Sequence, residues 1–177
     1  MQLLLLTAGL GLLSVLGAQG PQLTPAHAQE LVGRWHIKLW AGTLRIPAHK
    51  RSHPLPPFTL AMNRLQKLEF RMNLTKPIGC VLYKLPLDFQ SSPGIFNTWW
   101  RHLIYISFLP GKEHAIAYFQ VKVDTINHYM MMLMGRSLDE DPEAVRTFEE
   151  FAESKGLNRT DIARPPPLEA CELPPDS

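Results

Sequence analysis

The chain has 177 residues, a formal net charge of +2 and two cysteines. An apolar content of 45% with 19% charged residues excludes wholesale disorder. Two cysteines exclude a disulfide-dense scaffold and a four-thiolate zinc site, and so small a net charge makes no bulk case for nucleic-acid binding.

Residues 2–17 form an apolar run, followed by small residues from Gly17 to Gly20. This reads as a secretory leader over 1–18, with cleavage at about 17–20. The rival reading, a retained anchor, has a run short of the roughly 20 residues a span needs and lacks basic flanks. Cleavage leaves about 157 residues, which fits a single domain over 19–177 with no membrane span.

The mature chain begins with short polar stretches and turns strand-like at Gly33. In 33–41, Trp35, Ile37, Leu39 and Ala41 share one parity, and Arg34, His36 and Lys38 the other. Residues 42–57 read as a long loop with four prolines, Pro47, Pro54, Pro56 and Pro57. It is basic through Arg45, Lys50 and Arg51, and long loops inside compact domains are often functional. Phe58–Met62 and Leu68–Leu74 follow. In the second, Leu68, Phe70, Met72 and Leu74 face one way and Glu69, Arg71 and Asn73 the other. Residues 80–85 put Val81, Tyr83 and Leu85 on one side, and Cys80 and Lys84 on the other.

Four more strands are expected over 94–100, 103–109, 115–123 and 129–134. Their spacing, with turn residues between, points to an antiparallel sandwich or barrel. Phe119, Val121 and Val123 face inward, as do Met130, Met132 and Met134; strand 103–109 is apolar on both faces, so its parity is undecided. The pattern then becomes helical. Asp141 suits the N-cap and Pro142 the first turn, an apolar stripe runs through Val145, Phe148, Phe151 and Ala152, and Gly156 closes the helix. This predicts a helix over about 142–155 and an extended tail beyond it.

In an oxidising compartment Cys80 and Cys171 have one intramolecular pairing available. Asn73-Leu74-Thr75 and Asn158-Arg159-Thr160 are glycosylation sequons, and the alternation puts Asn73 on a wet face. The charge divides unevenly: residues 30–84 are net +8, 85–136 net +1 and 137–177 net −7. Two solvated faces of opposite sign fit the interspersed pattern better than a basic arm and an acidic tail.

No nucleophile elbow, zinc-protease helix, phosphate loop or dinucleotide fingerprint is present, so no enzyme and no cofactor are expected. His49 and His53 are four apart, but in a proline-rich loop they read as solvated and not as metal ligands. What remains is the inward apolar set: Ile37, Leu39, Phe58, Leu60, Met62, Leu68, Phe70, Met72, Tyr83, Leu85, Phe119, Val121, Met130 and Met132. Adaptable methionines can line a pocket, and the same residues can simply fill a core.

Gly33-Arg34-Trp35 opening the first strand resembles the Gly-x-Trp motif of the lipocalin family, and Gly135-Arg136 resembles that family's third motif. The helix and the cysteine pair follow in matching order. Leu103-Ile104-Tyr105, Leu109-Pro110-Gly111 and Phe148-Glu149-Glu150-Phe151 resemble the odorant-binding and tear-lipocalin branch. The resemblance implies an eight-stranded up-and-down β-barrel with one helix packed outside, mainly β in class. It implies a secreted carrier of small hydrophobic molecules (odorant, lipid or fatty-acid-like), with the inward set as its lining. Gly33, Trp35 and Arg136 would be structural, Arg136 packing over Trp35, and the basic 42–57 loop would stand at the barrel mouth. Two departures are expected to weaken the closed end and any docking to a cell-surface receptor or partner protein. His27 and Glu30 replace the usual Asn and Lys, and Lys112-Glu113-His114-Ala115 replaces the second motif. The alternative function is a scaffold whose barrel is filled, binding a partner through the basic loop or through Ile104, Ile106 and Phe108 on the outside.

Overall fold

The computed structural model describes residues 22–99 and 102–175, so the expected leader lies outside the described residues. In chain order the elements are β1 (Thr24–Pro25), α1 (Ala28–Leu31), β2 (Gly33–Gly42), α2 (Ala48–Arg51), β3 (Phe58–Met62), β4 (Leu68–Lys76), β5 (Gly79–Phe89), β6 (Ile95–Asn97), β7 (Leu103–Phe108), β8 (His114–Val123), β9 (Ile126–Gly135) and α3 (Pro142–Ser154). Strands β2 to β9 pair antiparallel in an up-and-down order. β2 pairs with β9 and β7 with β8, so the sheet closes into an eight-stranded barrel. Closure leaves no free edge. The short β1 lies against the far end of β7, where Thr24 pairs with Phe108.

Strand bounds depart from expectation where the pairing decides them. β5 runs through Pro86 to Phe89, because at Pro86 its only neighbour is β4; β6 pairs with β5 only at Asp88 and Phe89. Proline is tolerated where no second ladder needs its missing N–H. β6 spans only Ile95–Asn97 instead of 94–100, and β9 starts earlier than expected, at Ile126. Asp124 and Thr125 join β8 to β9 with φ of 48° and 69°. Positive φ at both residues suits the twist of a tight hairpin.

One irregularity in β2 reverses a face. Ile37 pairs with Met134, but Leu39 pairs with Leu133, so the register shifts at Lys38. A bulge of one residue turns every later side chain to the other face. Ile37 therefore points into the barrel, while Leu39 and Ala41 point out beneath α3.

The helix forms as its caps predict. Asp141 Oδ1 accepts from the backbone N–H groups of Glu143 and Ala144, each at 3.1 Å, and Pro142 occupies the first turn. Ala144, Phe148 and Ala152 bury against Leu39, Ala41, Ile116, Met131 and Leu133 on the barrel's outer wall.

The 42–57 connection crosses the open end and contains α2, the turn of helix that holds His49 and corrects the reading of a plain loop. The tail straps it. Leu55 N–H donates to the Pro166 carbonyl and Leu168 N–H to the Leu55 carbonyl, both at 3.1 Å. Trp40 and Ala163 exchange backbone bonds of 3.0 and 2.8 Å. Cys80 and Cys171 are joined as a disulfide with Cα atoms 5.8 Å apart, which fixes the tail to β5. Asn73 is half-buried beside the tail, and its Nδ2 donates to the Cys171 carbonyl at 2.8 Å, the nitrogen a glycan would take. Asn158 is exposed.

Candidate functional site

At the closed end Trp35 is fully buried, and its Nε1 donates to the Leu31 carbonyl at 2.8 Å. Arg136 lies over the indole with Cζ 3.7 Å from the ring centroid. Its guanidinium donates to the carbonyls of Glu30 (2.8 Å), Val32 (3.1 Å) and Arg34 (3.3 Å). The cation–π contact is worth about 0.5–2 kcal/mol. Gly33 has φ +120°, and a β-carbon there would come within 2.9 Å of Arg136 Nη1, so both conformation and space require glycine. The two departures expected to loosen this end instead meet each other. Glu30 carboxylate pairs with Lys112, and the bond to that ammonium holds the Glu30 carboxyl below its ordinary range against a small opposing effect of burial. His114 is half-buried 3.7 Å from Asp141; burial pushes its imidazole below the ordinary value, with Asp141 opposing.

Above this base the barrel keeps a cavity of about 430 Å³. Its wall is built from Ile37, Phe58, Leu60, Phe70, Tyr83, Leu85, Leu87, Thr98, His102, Ile104, Ile106, Ala117, Phe119, Val121, Met132 and Met134. Phe58, Phe70 and Tyr83 form an aromatic side, with centroid separations of 4.9 and 6.2 Å. An engineered apolar cavity of about 150 Å³ stays dry and takes up benzene, and this one is nearly three times larger. A space of this size is left by the side chains around it, so the barrel is built around it and not filled. A second chamber of about 270 Å³ shares Ile37, Phe119 and Met132 and continues beneath the 42–57 crossing, where Trp40, Ile46, Lys50, His53, Leu55, Met130 and Met131 complete it.

Of the expected lining, Ile37, Phe58, Leu60, Phe70, Tyr83, Leu85, Phe119, Val121 and Met132 meet around the main cavity, and Met130 lines the chamber beside it. Four do not. Leu39 packs outside under α3 because of the bulge, Met72 is buried in the core without reaching the cavity surface, and Met62 and Leu68 line a groove at the closed end beside α1. Ile104 and Ile106 are not outside: both line the cavity, and Phe108 is buried 6.3 Å from Trp35. Strand β7 carries no polar alternation to reveal this, and the register with β8 decides it. Thr98 and His102 come from the β6–β7 loop, which is held by Thr98 N–H donating to the His102 carbonyl at 3.0 Å. No periodicity in that loop could have flagged them. Among the described residues no cluster of metal-ligating side chains is found, and His49 and His53 are not grouped with a further ligand.

A closed barrel that is plugged at one end and hollow and apolar at the other is a calyx, a container for one small molecule. Residues 58–169 match the model of the lipocalin / cytosolic fatty-acid binding protein family, and the chain belongs to that family. It is 33% identical to Lipocalin-1 of Sus scrofa over 97% of each chain. It is 26% identical to odorant-binding protein 2a of Mus musculus over 88% of each, which sets it near the odorant and tear branch. The solved structure of the siderocalin Ex-FABP, described as functioning through dual ligand specificities, superposes with a TM-score of 0.67 at 18% identity. That match covers 82% of this chain and 95% of the other, and shows the shared fold.

Proposed function

We propose that the protein is a secreted carrier of small apolar molecules that favours ligands ending in an anionic head, as fatty acids do. The observation that carries this is the 430 Å³ cavity with its almost wholly hydrocarbon and aromatic wall. Such a wall binds by removing apolar surface from water, at about 25 cal/mol per Å². Odorants and neutral lipids of matching size satisfy the same wall.

The head preference rests on charge placement. Among the described residues lining the two chambers, the basic side chains are His102, Lys50 and His53, the last two on the strapped crossing. Arg45 and Arg51 line an outer groove with Asp161, and Arg51 also donates to the Thr160 carbonyl, so they are not part of this pole. With both cysteines joined, the reading includes no thiol chemistry.

Displacement of a fluorescent fatty acid by an unlabelled fatty acid, and by the alcohol of the same chain length, tests the proposal. Both displace the probe, and the acid does so at lower concentration. The pair Lys50→Ala and His53→Ala narrows the gap between acid and alcohol by about three- to tenfold. Failure of every apolar probe to bind overturns the carrier reading; an unchanged gap overturns the head assignment alone.

A further inference from the structure

Two arginines of the mouth crossing take no part in the calyx. On α2 the neighbours divide: Lys50 borders the inner chamber, and Arg51 a groove of about 510 Å³ outside it, which Arg45 also lines. The apolar part of that groove is Trp40, Leu44, Ile46 and Leu157. Trp40 and Ile46 border both spaces, so they form the wall between groove and chamber. Unlike Trp99 on the β6–β7 connection, which is 68% exposed, Trp40 is half-buried in this wall.

The groove is held from both sides. Trp40 and Ala163 exchange their two backbone bonds, and Thr43 N–H donates to the Tyr129 carbonyl at 2.9 Å. Thr43 Oγ1 accepts from Tyr129 N–H at 2.9 Å, and Arg51 Nη2 donates to the Thr160 carbonyl at 3.3 Å. A surface fixed before binding loses little freedom when a ligand arrives.

Its charge is not cancelled from within. Among the described residues no carboxylate lies within 4 Å of either guanidinium, and the acids of the adjoining segments are taken. Glu149 and Glu153 pair with Arg159 at 3.5 and 2.7 Å, and Glu140 with Arg164 at 3.5 Å. Asp161 is the one acid of the groove, and its Oδ2 accepts from Asn158 N–H at 3.0 Å. Glu169 and Glu172 lie further along the tail, toward its disulfide with β5, and do not line the groove. A guanidinium carries five N–H donors in a planar fork, so two of them with one bond between them leave most of their donors for a ligand. Such forks match an oxyanion, and both guanidinium and indole stack on aromatic rings.

We propose that this groove is a second binding site, outside the barrel, for a small aromatic molecule bearing one oxyanion group: a sulfonate, sulfate or carboxylate. The oxyanion takes Arg45 and Arg51, and the ring lies against Trp40 and its apolar neighbours. The inference goes beyond the carrier reading and stands whether or not the barrel is loaded.

Calorimetric titration of the full protein with naphthalenesulfonate, and with the neutral naphthalenemethanol, tests it. Each titration is run with and without a saturating long-chain fatty alcohol, which competes for the barrel and not for the groove. With the alcohol present the sulfonate binds one to one, about tenfold or more tightly than naphthalenemethanol, and more weakly as salt rises. Arg45→Gln with Arg51→Gln weakens it about tenfold or more, and the corresponding lysine pair recovers only part. An unchanged melting curve shows that the variants are folded. If the pair fails to fold, Arg45→Gln alone makes the comparison, with a loss of about threefold. Absence of sulfonate binding, affinity indifferent to the arginines, or equal binding of naphthalenemethanol overturns the inference. So does loss of sulfonate binding when the fatty alcohol is added, which places the sulfonate in the barrel. Displacement of the fluorescent fatty acid, measured separately, reports on the carrier reading alone.

Discussion

The two ends of the barrel are built on opposite terms. At the closed end a set of strong polar groups is paired: Arg136 spends its donors on three carbonyls, Trp35 bonds to Leu31, and Glu30 meets Lys112. At the open end the 42–57 connection is long and is held by a few backbone bonds to the tail. A barrel with an unfilled interior has little packing to spare, so its stability concentrates where the interior is solid. The hollow end is then free to vary in shape and chemistry.

The sharpest way to break this contrast is to truncate one tryptophan from each end. Trp35→Ala is expected to lower the unfolding free energy by about 3–5 kcal/mol, whereas Trp99→Ala changes it by no more than about 0.5 kcal/mol. Urea unfolding followed by circular dichroism measures both; equal effects would mean that the ends do not differ. Next in size is Arg136→Met, which keeps an apolar arm over Trp35 but leaves three carbonyls short of a donor. It costs about 2–3 kcal/mol, and Arg136→Lys recovers only part because an ammonium lacks the planar fork.

Ala117→Phe probes the hollow instead. Ala117 is buried in the cavity wall opposite Ile106 and Met132 in the ladder, and a ring there occupies the ligand's space. Binding of a fluorescent fatty acid is expected to weaken at least tenfold, about 1.4 kcal/mol, while the melting temperature holds or rises. The smallest effect is that of pH on the closed end. Burial depresses the His114 pKa, so the neutral ring is the form the fold favours. Its contribution is complete above the unfolded value, near 6.5, and is lost as pH falls through the lower folded value. Melting temperatures measured from pH 7.5 down to 5 should fall less steeply in His114→Gln; His36, also depressed by burial, accounts for part of the residual slope.

Those residues also show what pattern reveals. β4 and β8 were legible because polar residues mark one face, and α3 because Asp141, Pro142 and Gly156 punctuate it. The lipocalin signature worked through position: Gly33 must clear Arg136, and Trp35 must lie beneath it. Alternation misplaces Leu39 because a bulge is a pairing event with no residue of its own to announce it. It does not place Ile104 and Ile106 because β7 offers no polar contrast beyond Ser107 and a tyrosine. Thr98 and His102 reach the cavity from a loop, where no period exists to read. The repair of the closed end was invisible too, since Glu30 and Lys112 look like two separate losses until the fold sets them side by side.

The strap across the mouth also has a consequence in time. β2, the first strand of the barrel, cannot find its second neighbour until β9 has been synthesised, and the crossing cannot be secured until Pro166 and Leu168 follow. Contacts this distant in sequence form late and slow a fold's completion. The container is therefore finished before its cover, and a nascent barrel passes through a stage in which the hollow is walled but still uncovered.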